Sequence, residues 1–382
     1  MRTTTLRRVA VATGLMAALG LLPVTGAAAD AASAQLSPAT RSQIDAIIAD
    51  TMTTANIPGM SVLVRIPGRG SYVQTYGVAD TTTGRPFSRA EHVRMASITK
   101  TFTATLILRL VDKGKLALDD HLAQYVKGID NGRQITIRQM LNMTSGIFSY
   151  TEDEQFGKDF DANPVEPFPP SKAIAIIKAH DPDFAPGTSW HYSDSNYLLL
   201  GVIAEKVTGR PIDRLMQDLV IDPLGLSHTS YPTTPAIPGP HPVGYVAQPD
   251  GSLRDVTAVN PAVAAGAGAM ISTLDDLATY AKALADGTIL SPKTQRERLQ
   301  LVDVPLSPVL TTGYGLGLLG INGFLGHDGA IYGFSTAMFH LPEKDATIVV
   351  IGNQSTNFTT PALEAFLRLG QLLFPTRFPP AP

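Results

Sequence analysis

The chain contains no cysteine, which excludes disulfides, thiolate metal sites and attachment of lipid through a thiol. Its stability has to come from packing. It contains no block of lysine and arginine, and its formal net charge is −3, so nucleic acid and anionic lipid are poor partners. No continuous apolar run reaches the roughly 20 residues that a membrane-spanning helix needs. No His-Glu-x-x-His occurs, which leaves no metalloprotease pattern, and no other close ligand pairing among the histidines suggests a metal. No Gly-x-Ser-x-Gly elbow occurs either, which argues against the α/β-hydrolase route to a serine nucleophile. Of the 382 residues, 44% are hydrophobic and 16% charged, a composition suited to one large domain or two closely packed lobes.

The N-terminus reads as a targeting segment. Arg2, Arg7 and Arg8 precede an apolar stretch from Val9 to Leu22, and Ala27-Ala28-Ala29 supplies small residues for cleavage. Residues 1–29 are therefore expected to be a signal peptide, and 30–382 an exported, secreted domain that carries no membrane anchor after cleavage. Arg7-Arg8 leaves both the general and the twin-arginine export routes open. Cleavage would remove three arginines and no acid, which makes the chain more acidic.

Hydrophobic periodicity predicts a helix over 41–55, then strands over 60–66 and 72–78 joined around Pro67-Gly68-Arg69-Gly70. From Ser97 to about Asp286 the pattern is mainly helical, with long segments at 100–113, 171–180, 197–208 and 274–284. Strand patterning returns at 314–321, 331–340 and 346–351, with Pro342-Glu343-Lys344-Asp345 as a hairpin turn, followed by an apolar helix over 361–374. The expected architecture is α/β: an antiparallel sheet flanked by helices and built from both ends of the chain (about 40–96 and 312–374), with a mostly helical insertion (about 97–311). Gly315-x-Gly317-x-x-Gly320 matches a dinucleotide fingerprint, but no helix pattern follows it, so no cofactor is expected.

Ser97-Ile98-Thr99-Lys100 is the only Ser-x-x-Lys in the chain and stands where an apolar helix begins. Residues three apart share a helix face, so the Lys100 amine can reach the Ser97 hydroxyl. A lysine whose ammonium is destabilised by burial can take that proton. On its own the tetrad also fits a capping serine beside a solvated lysine.

Two further segments follow in order: His191-Tyr192-Ser193-Asp194-Ser195-Asn196, within the run from Phe184 to Tyr197, and Gly326-His327-Asp328-Gly329-Ala330. The ordered set resembles the penicillin-recognising serine hydrolases, which comprise D-Ala-D-Ala carboxypeptidases, serine β-lactamases, D-aminopeptidases and related esterases. Three more segments support the likeness: Ile135 to Gly146, Pro223-Leu224-Gly225-Leu226, and Tyr314-Gly315-Leu316-Gly317. The resemblance implies a β-lactamase/transpeptidase-like fold and an acyl-enzyme on Ser97, with Lys100 and Tyr192 sharing the proton transfers. It further implies that His327 lends positive or donor character, and that the backbone N–H groups of Ser97 and Ala330 form an oxyanion hole. Asp194, Asp328 and Gly329 would contact the substrate, a small molecule or peptide bearing an acyl group. The expected activity is hydrolysis of D-amino-acid peptides of cell-wall type. An esterase or D-aminopeptidase on the same fold is the alternative, and a non-catalytic protein that binds wall fragments or β-lactams is a third reading.

Two positions depart from that family's pattern. Relatives commonly carry Tyr-x-Asn where this chain has Tyr192-Ser193-Asp194. A carboxylate about 4 Å from Lys100 would contribute roughly 4 kcal/mol of attraction at an effective dielectric near 20. That would hold Lys100 charged and make an acidified Tyr192 the base. Asp328 stands where Thr or Ser usually flanks a substrate carboxylate, and should repel one. Glu152, Asp153, Glu154, Asp159 and Asp161 follow the Ser145-Gly146 segment, either as a solvated surface run or as added negative charge near the site. Neutral esters and amine-bearing substrates suit these positions better than C-terminal carboxylates do.

Overall fold

The computed structural model describes residues 35–304, 310–355 and 360–378. The expected signal segment 1–29 lies outside them. Strand β1 (Gly59–Ile66) pairs with β2 (Gly70–Asp80) as the expected hairpin, and β2 carries a short edge strand β3 (Arg85–Pro86). The C-terminal part supplies β4 (Val302–Asp303), β5 (Thr312–Tyr314), β6 (Leu319–Ile321), β7 (Phe324–Ile331), β8 (Phe334–Leu341) and β9 (Ala346–Gly352). They form one nine-stranded antiparallel sheet in the order β3-β2-β1-β9-β8-β7-β6-β5-β4. The N-terminal hairpin thus closes against the last strand, with Met60 opposite Gly352 and Val64 opposite Ile348. Strands β8 and β9 are buried along their whole length, as expected of strands covered by helices on both faces.

Helices α1 (Pro38–Thr54) and α7 (Pro361–Leu373) pack together; α7 lies on β8 and β9, while α2 (Ile98–Asp112) and α6 (Leu274–Asp286) also pack against strands of the sheet. Phe366 and Leu369 of α7 are fully buried, which accounts for the apolar face of that helix. Between the strand-forming segments lie α3 (Glu154–Ala162), α4 (Pro170–Ala179) and α5 (Asp194–Thr208). Among the described residues no helix is long and apolar enough to cross a membrane.

Two strand expectations need correction. The stretch 314–321 is not one strand but the two short strands β5 and β6, folded at Gly315-Leu316-Gly317-Leu318. Gly317 has φ +79°, and a Cβ there would lie 2.1 Å from the Cβ of Ala104, so the glycines of the apparent dinucleotide fingerprint serve a tight turn. The strand expected over 331–340 begins at Phe334, and the glycine-rich stretch ahead of it forms β7, which the apolar pattern did not reveal. Strand β4 also lies outside the range expected to build the sheet.

Candidate active site

Ser97 sits at the N-cap of α2 with helical backbone angles, and its side chain makes no capping bond. The hydroxyl is therefore free of the local role that competed with catalysis in the sequence. Ahead of it, Ala96 has φ +49°, a conformation that costs a non-glycine residue roughly 1–3 kcal/mol and that clusters at functional turns. The Ser97 N–H, at the helix start, has no intrahelical acceptor. Strand β7 runs against this turn, and a Cβ on Gly329 would lie 2.7 Å from the Met95 carbonyl oxygen and 2.9 Å from the Ser97 nitrogen. Gly329 thus allows the strand to approach the nucleophile, and Ala330, next in the strand, lines the same cavity as Ser97.

Lys100 is fully buried one turn along α2. Its Nζ lies 2.8 Å from Ser97 Oγ, 3.0 Å from the Ala267 carbonyl oxygen and 2.6 Å from Asp194 Oδ1. These three partners suit either protonation state. An ammonium donates to all three, whereas an amine donates to Ala267 and Asp194 and accepts from the Ser97 hydroxyl. Burial pulls the Lys100 pKa below lysine's ordinary range, opposed by Asp194. The second oxygen of Asp194 accepts from Thr151 Oγ1 at 3.0 Å.

The proton transfer expected of Tyr192 takes a different form in this setting. Lys100 Nζ lies over the ring face, 4.6 Å from its centroid. Burial and the Asp194 carboxylate raise the phenol well above its usual range, outweighing the hydrogen bond with Ser97 that lowers it. Tyr192 is therefore not the acidified base expected from the sequence. It is a protonated phenol beside the nucleophile, suited to donating: the carboxylate that was expected to hold Lys100 charged, and through it to acidify the phenol, itself acts against the phenol's ionisation. Lys100 is the better placed base.

His327 also departs from expectation. Its Nδ1 lies 2.6 Å from the Asp328 carbonyl oxygen, to which it must donate, leaving Nε2 to accept from the Tyr314 hydroxyl at 3.1 Å. Burial, aided by Lys100, pushes its pKa down to about 3. His327 is neutral with both nitrogens occupied, so it offers the site neither a positive charge nor a spare donor. Tyr314, quoted in the sequence only as a supporting match, is packed among the site aromatics, edge-on to Tyr192 at 6.3 Å and 5.9 Å from Trp190. Asp328 hydrogen-bonds the Thr360 side chain, and burial raises its carboxyl; it is not among the described residues that line the cavity.

The cavity beside Ser97 has a volume of about 290 Å³ and is walled mainly by apolar and aromatic groups, including Tyr150, Phe156, Phe160, Val246 and Tyr332. Asp194 is the one charged residue among the described residues that line it. Helix α3 forms one wall. Phe160 packs on Tyr332 at 4.7 Å, and Asp161 accepts from Tyr332 at 2.8 Å and from Arg254 at 2.9 Å. Of the acidic run in this region, Asp161 has this structural task and Asp153 caps α3. Glu152 pairs with His191 at 3.3 Å. Sequence reasoning missed the aromatic wall, although Phe156 and Phe160, four apart in a short amphipathic segment, were a usable signal. Among the described residues no cluster of three or more His, Asp or Glu side chains is arranged to hold a metal ion.

Comparison with known proteins places this geometry among relatives. The Beta-lactamase family model matches residues 44–372. Protein flp of Staphylococcus aureus is 28% identical over 343 residues, which are 84% of this chain but 65% of that protein, so the chain spans just under two thirds of its length. A D-stereospecific amidohydrolase from Streptomyces sp. superposes with a TM-score of 0.76 at 33% identity, over 88% of this chain and 98% of that one. The octameric penicillin-binding protein homologue from Pyrococcus abyssi gives a TM-score of 0.76 at 25% identity, over 87% and 77%. The D-amino acid amidase of Ochrobactrum anthropi SV3 shares the fold, with a TM-score of 0.77 at 24% identity over 89% and 99%.

Proposed function

From the premise that this chain belongs to the beta-lactamase family and is a serine hydrolase of that fold, we propose that it hydrolyses amides or esters of D-amino acids with a free amine and an apolar or aromatic side chain. The observation that carries this reading is the cavity beside Ser97, an aromatic pocket whose one charged residue among those described is a carboxylate. An ammonium is favoured there and a carboxylate is opposed. The likeness to the D-stereospecific amidohydrolase supports the configuration and the bond class. The D-Ala-D-Ala carboxypeptidase reading ranks second, because no described lining residue offers a cation to a C-terminal carboxylate.

The reaction follows from the contacts. Ser97 Oγ attacks the acyl carbon while its proton passes to Lys100 Nζ, 2.8 Å away. The oxygen that becomes negative is held by the N–H groups of Ser97 and Ala330, each worth about 10²- to 10³-fold in rate. Tyr192 hands a proton to the departing amine or alcohol and is restored from Lys100. Water then attacks the acyl-enzyme by the reverse path. Export through removal of residues 1–29 belongs to this proposal, and N-terminal sequencing of the protein recovered from culture medium tests it.

The deciding assay compares D-phenylalanine amide with its N-acetyl derivative, its L enantiomer and a D-Ala-D-Ala peptide. The free D-amide is expected to be turned over fastest, with a decline in kcat/KM at alkaline pH as the substrate amine loses its proton near pH about 8. Faster cleavage of the D-Ala-D-Ala peptide, or of the acetylated amide, would overturn the reading.

A further inference from the structure

Asp194 faces two ways. One carboxylate oxygen holds Lys100 at 2.6 Å, yet the side chain keeps 24% of its surface open and lines the substrate cavity. Lys100 is closed off completely, and its other two contacts, Ser97 Oγ and the Ala267 carbonyl, are uncharged. The remaining titratable groups around the pair are accounted for. Tyr192 on the loop before α5 is protonated and His327 on β7 is neutral. Asp328 on β7 acts on Lys100 only through its field. Tyr150 and Glu152, on the turn facing α5, feel Asp194 but not Lys100. The carboxylate in direct contact with Lys100 is thus one that a substrate cation can reach.

We propose that a substrate ammonium docking on the open side of Asp194 takes over that carboxylate from Lys100 and so completes the base, making the substrate's own charge the switch that activates Ser97. The inference rests on the amine-bearing substrate class given above and adds to it a coupling between recognition and chemistry. Charge and protons balance. Before docking, Asp194 is paired with the Lys100 ammonium. On docking it is paired with the substrate ammonium, and Lys100 releases one proton to solvent by relay through the Ser97 hydroxyl, which it contacts at 2.8 Å and which lines the cavity. As the Ser97 Oγ–carbon bond forms, the hydroxyl proton moves to Lys100 Nζ, and it leaves with the departing group through Tyr192. Asp194 stays ionised throughout. In this role it is a specificity-determining residue that also sets the state of the base.

The methyl esters of D-phenylalanine and of 3-phenylpropionate differ only in the ammonium group. With the wild-type enzyme, kcat/KM is expected to favour the amino ester by at least about tenfold, and the acid limb of kcat should lie at lower pH for the amino ester, since kcat reports the complex. Asp194→Asn should remove most of the tenfold preference, chiefly by speeding the ester that lacks the amine, and should bring both acid limbs to the lower position. If the wild type favours the amino ester but its two acid limbs coincide, or if Asp194→Asn slows both esters alike, Asp194 merely positions Lys100; the coupling is then overturned while the substrate reading stands. If the wild type shows no preference at all, the substrate reading itself fails. Should Asp194→Asn not fold, as judged by loss of a cooperative thermal melt, the wild-type comparison of acid limbs decides alone.

Discussion

The two sides of the substrate cavity are built on opposite plans. Around Ser97 the start of α2, the Ala267 segment and β7 are in close contact, and the buried Lys100 amine is held by three hydrogen-bond partners and the face of the Tyr192 ring. Across the cavity, α3 has no fully buried residue and is held by aromatic edges and the exposed Asp161 contacts with Tyr332 and Arg254. The difference separates two tasks. Proton transfer tolerates little misplacement and calls for a rigid surround, whereas side-chain selection requires mainly an apolar wall of the right volume.

The sharpest way to break the comparison is Gly329→Ala. The added methyl would meet the Met95 carbonyl oxygen at 2.7 Å and the Ser97 nitrogen at 2.9 Å, contacts that backbone atoms cannot relieve without moving. A displacement near 1 Å at the nucleophile is expected to lower kcat by about 10²-fold or more. Turnover of the D-amide and thermal melting, measured together, check it. A fully active Gly329→Ala would show that the nucleophile corner is as tolerant as the wall.

These plans also explain what could be read from the sequence. The nucleophile corner was legible because its chemistry is local. Ser97 and Lys100 are one helical turn apart, and Tyr192 and Asp194 sit within three residues of each other. The sheet was legible in outline because β1 and β9 are largely apolar runs and β2 is rich in aromatic and β-branched residues. Strand β7 was not, since Gly326, His327, Asp328 and Gly329 replace the usual apolar alternation in order to bring backbone close to α2. The charge states were not legible either. That His327 is neutral follows from its burial and from Tyr314 occupying Nε2, and the raised phenol of Tyr192 follows from burial beside Asp194. In both cases the burial comes from packing between separate segments, as where Tyr314 and His327 close on Tyr192. The aromatic wall likewise assembles Tyr150, Phe160 and Tyr332 from three separate segments.

On the wall, Phe160→Ala sharpens the contrast. Phe160 packs against Tyr332 at 4.7 Å with the rings tilted and lines the cavity, so an aromatic substrate side chain should lose about 1.5–3 kcal/mol of apolar contact. The expected result is a rise in KM of about tenfold or more for the D-phenylalanine amide with kcat little changed, and a smaller rise for the D-alanine amide. A loss confined to kcat would place Phe160 with the chemistry instead of with selection.

The smallest effect is expected from Asp161→Asn. Asp161 ties α3 to Tyr332 and Arg254, but its ion pair is exposed, with side chains 41% and 59% open, and exposed pairs contribute only about 0–1 kcal/mol. KM for the D-phenylalanine amide should therefore change by less than about fivefold. The hydrogen bond from Tyr332, followed by that from Arg254, holds the Asp161 carboxyl below its ordinary range. A lowered carboxylate pKa means that the tie is present above the ordinary carboxylate range and is lost only as pH falls through the lowered value. Between pH 6 and 9 the ratio of mutant to wild-type KM should be flat. A ratio that drifts across neutral pH would mean that a group other than Asp161 governs how α3 sits over the cavity, and Glu152, whose carboxyl burial raises, would be the next residue to replace.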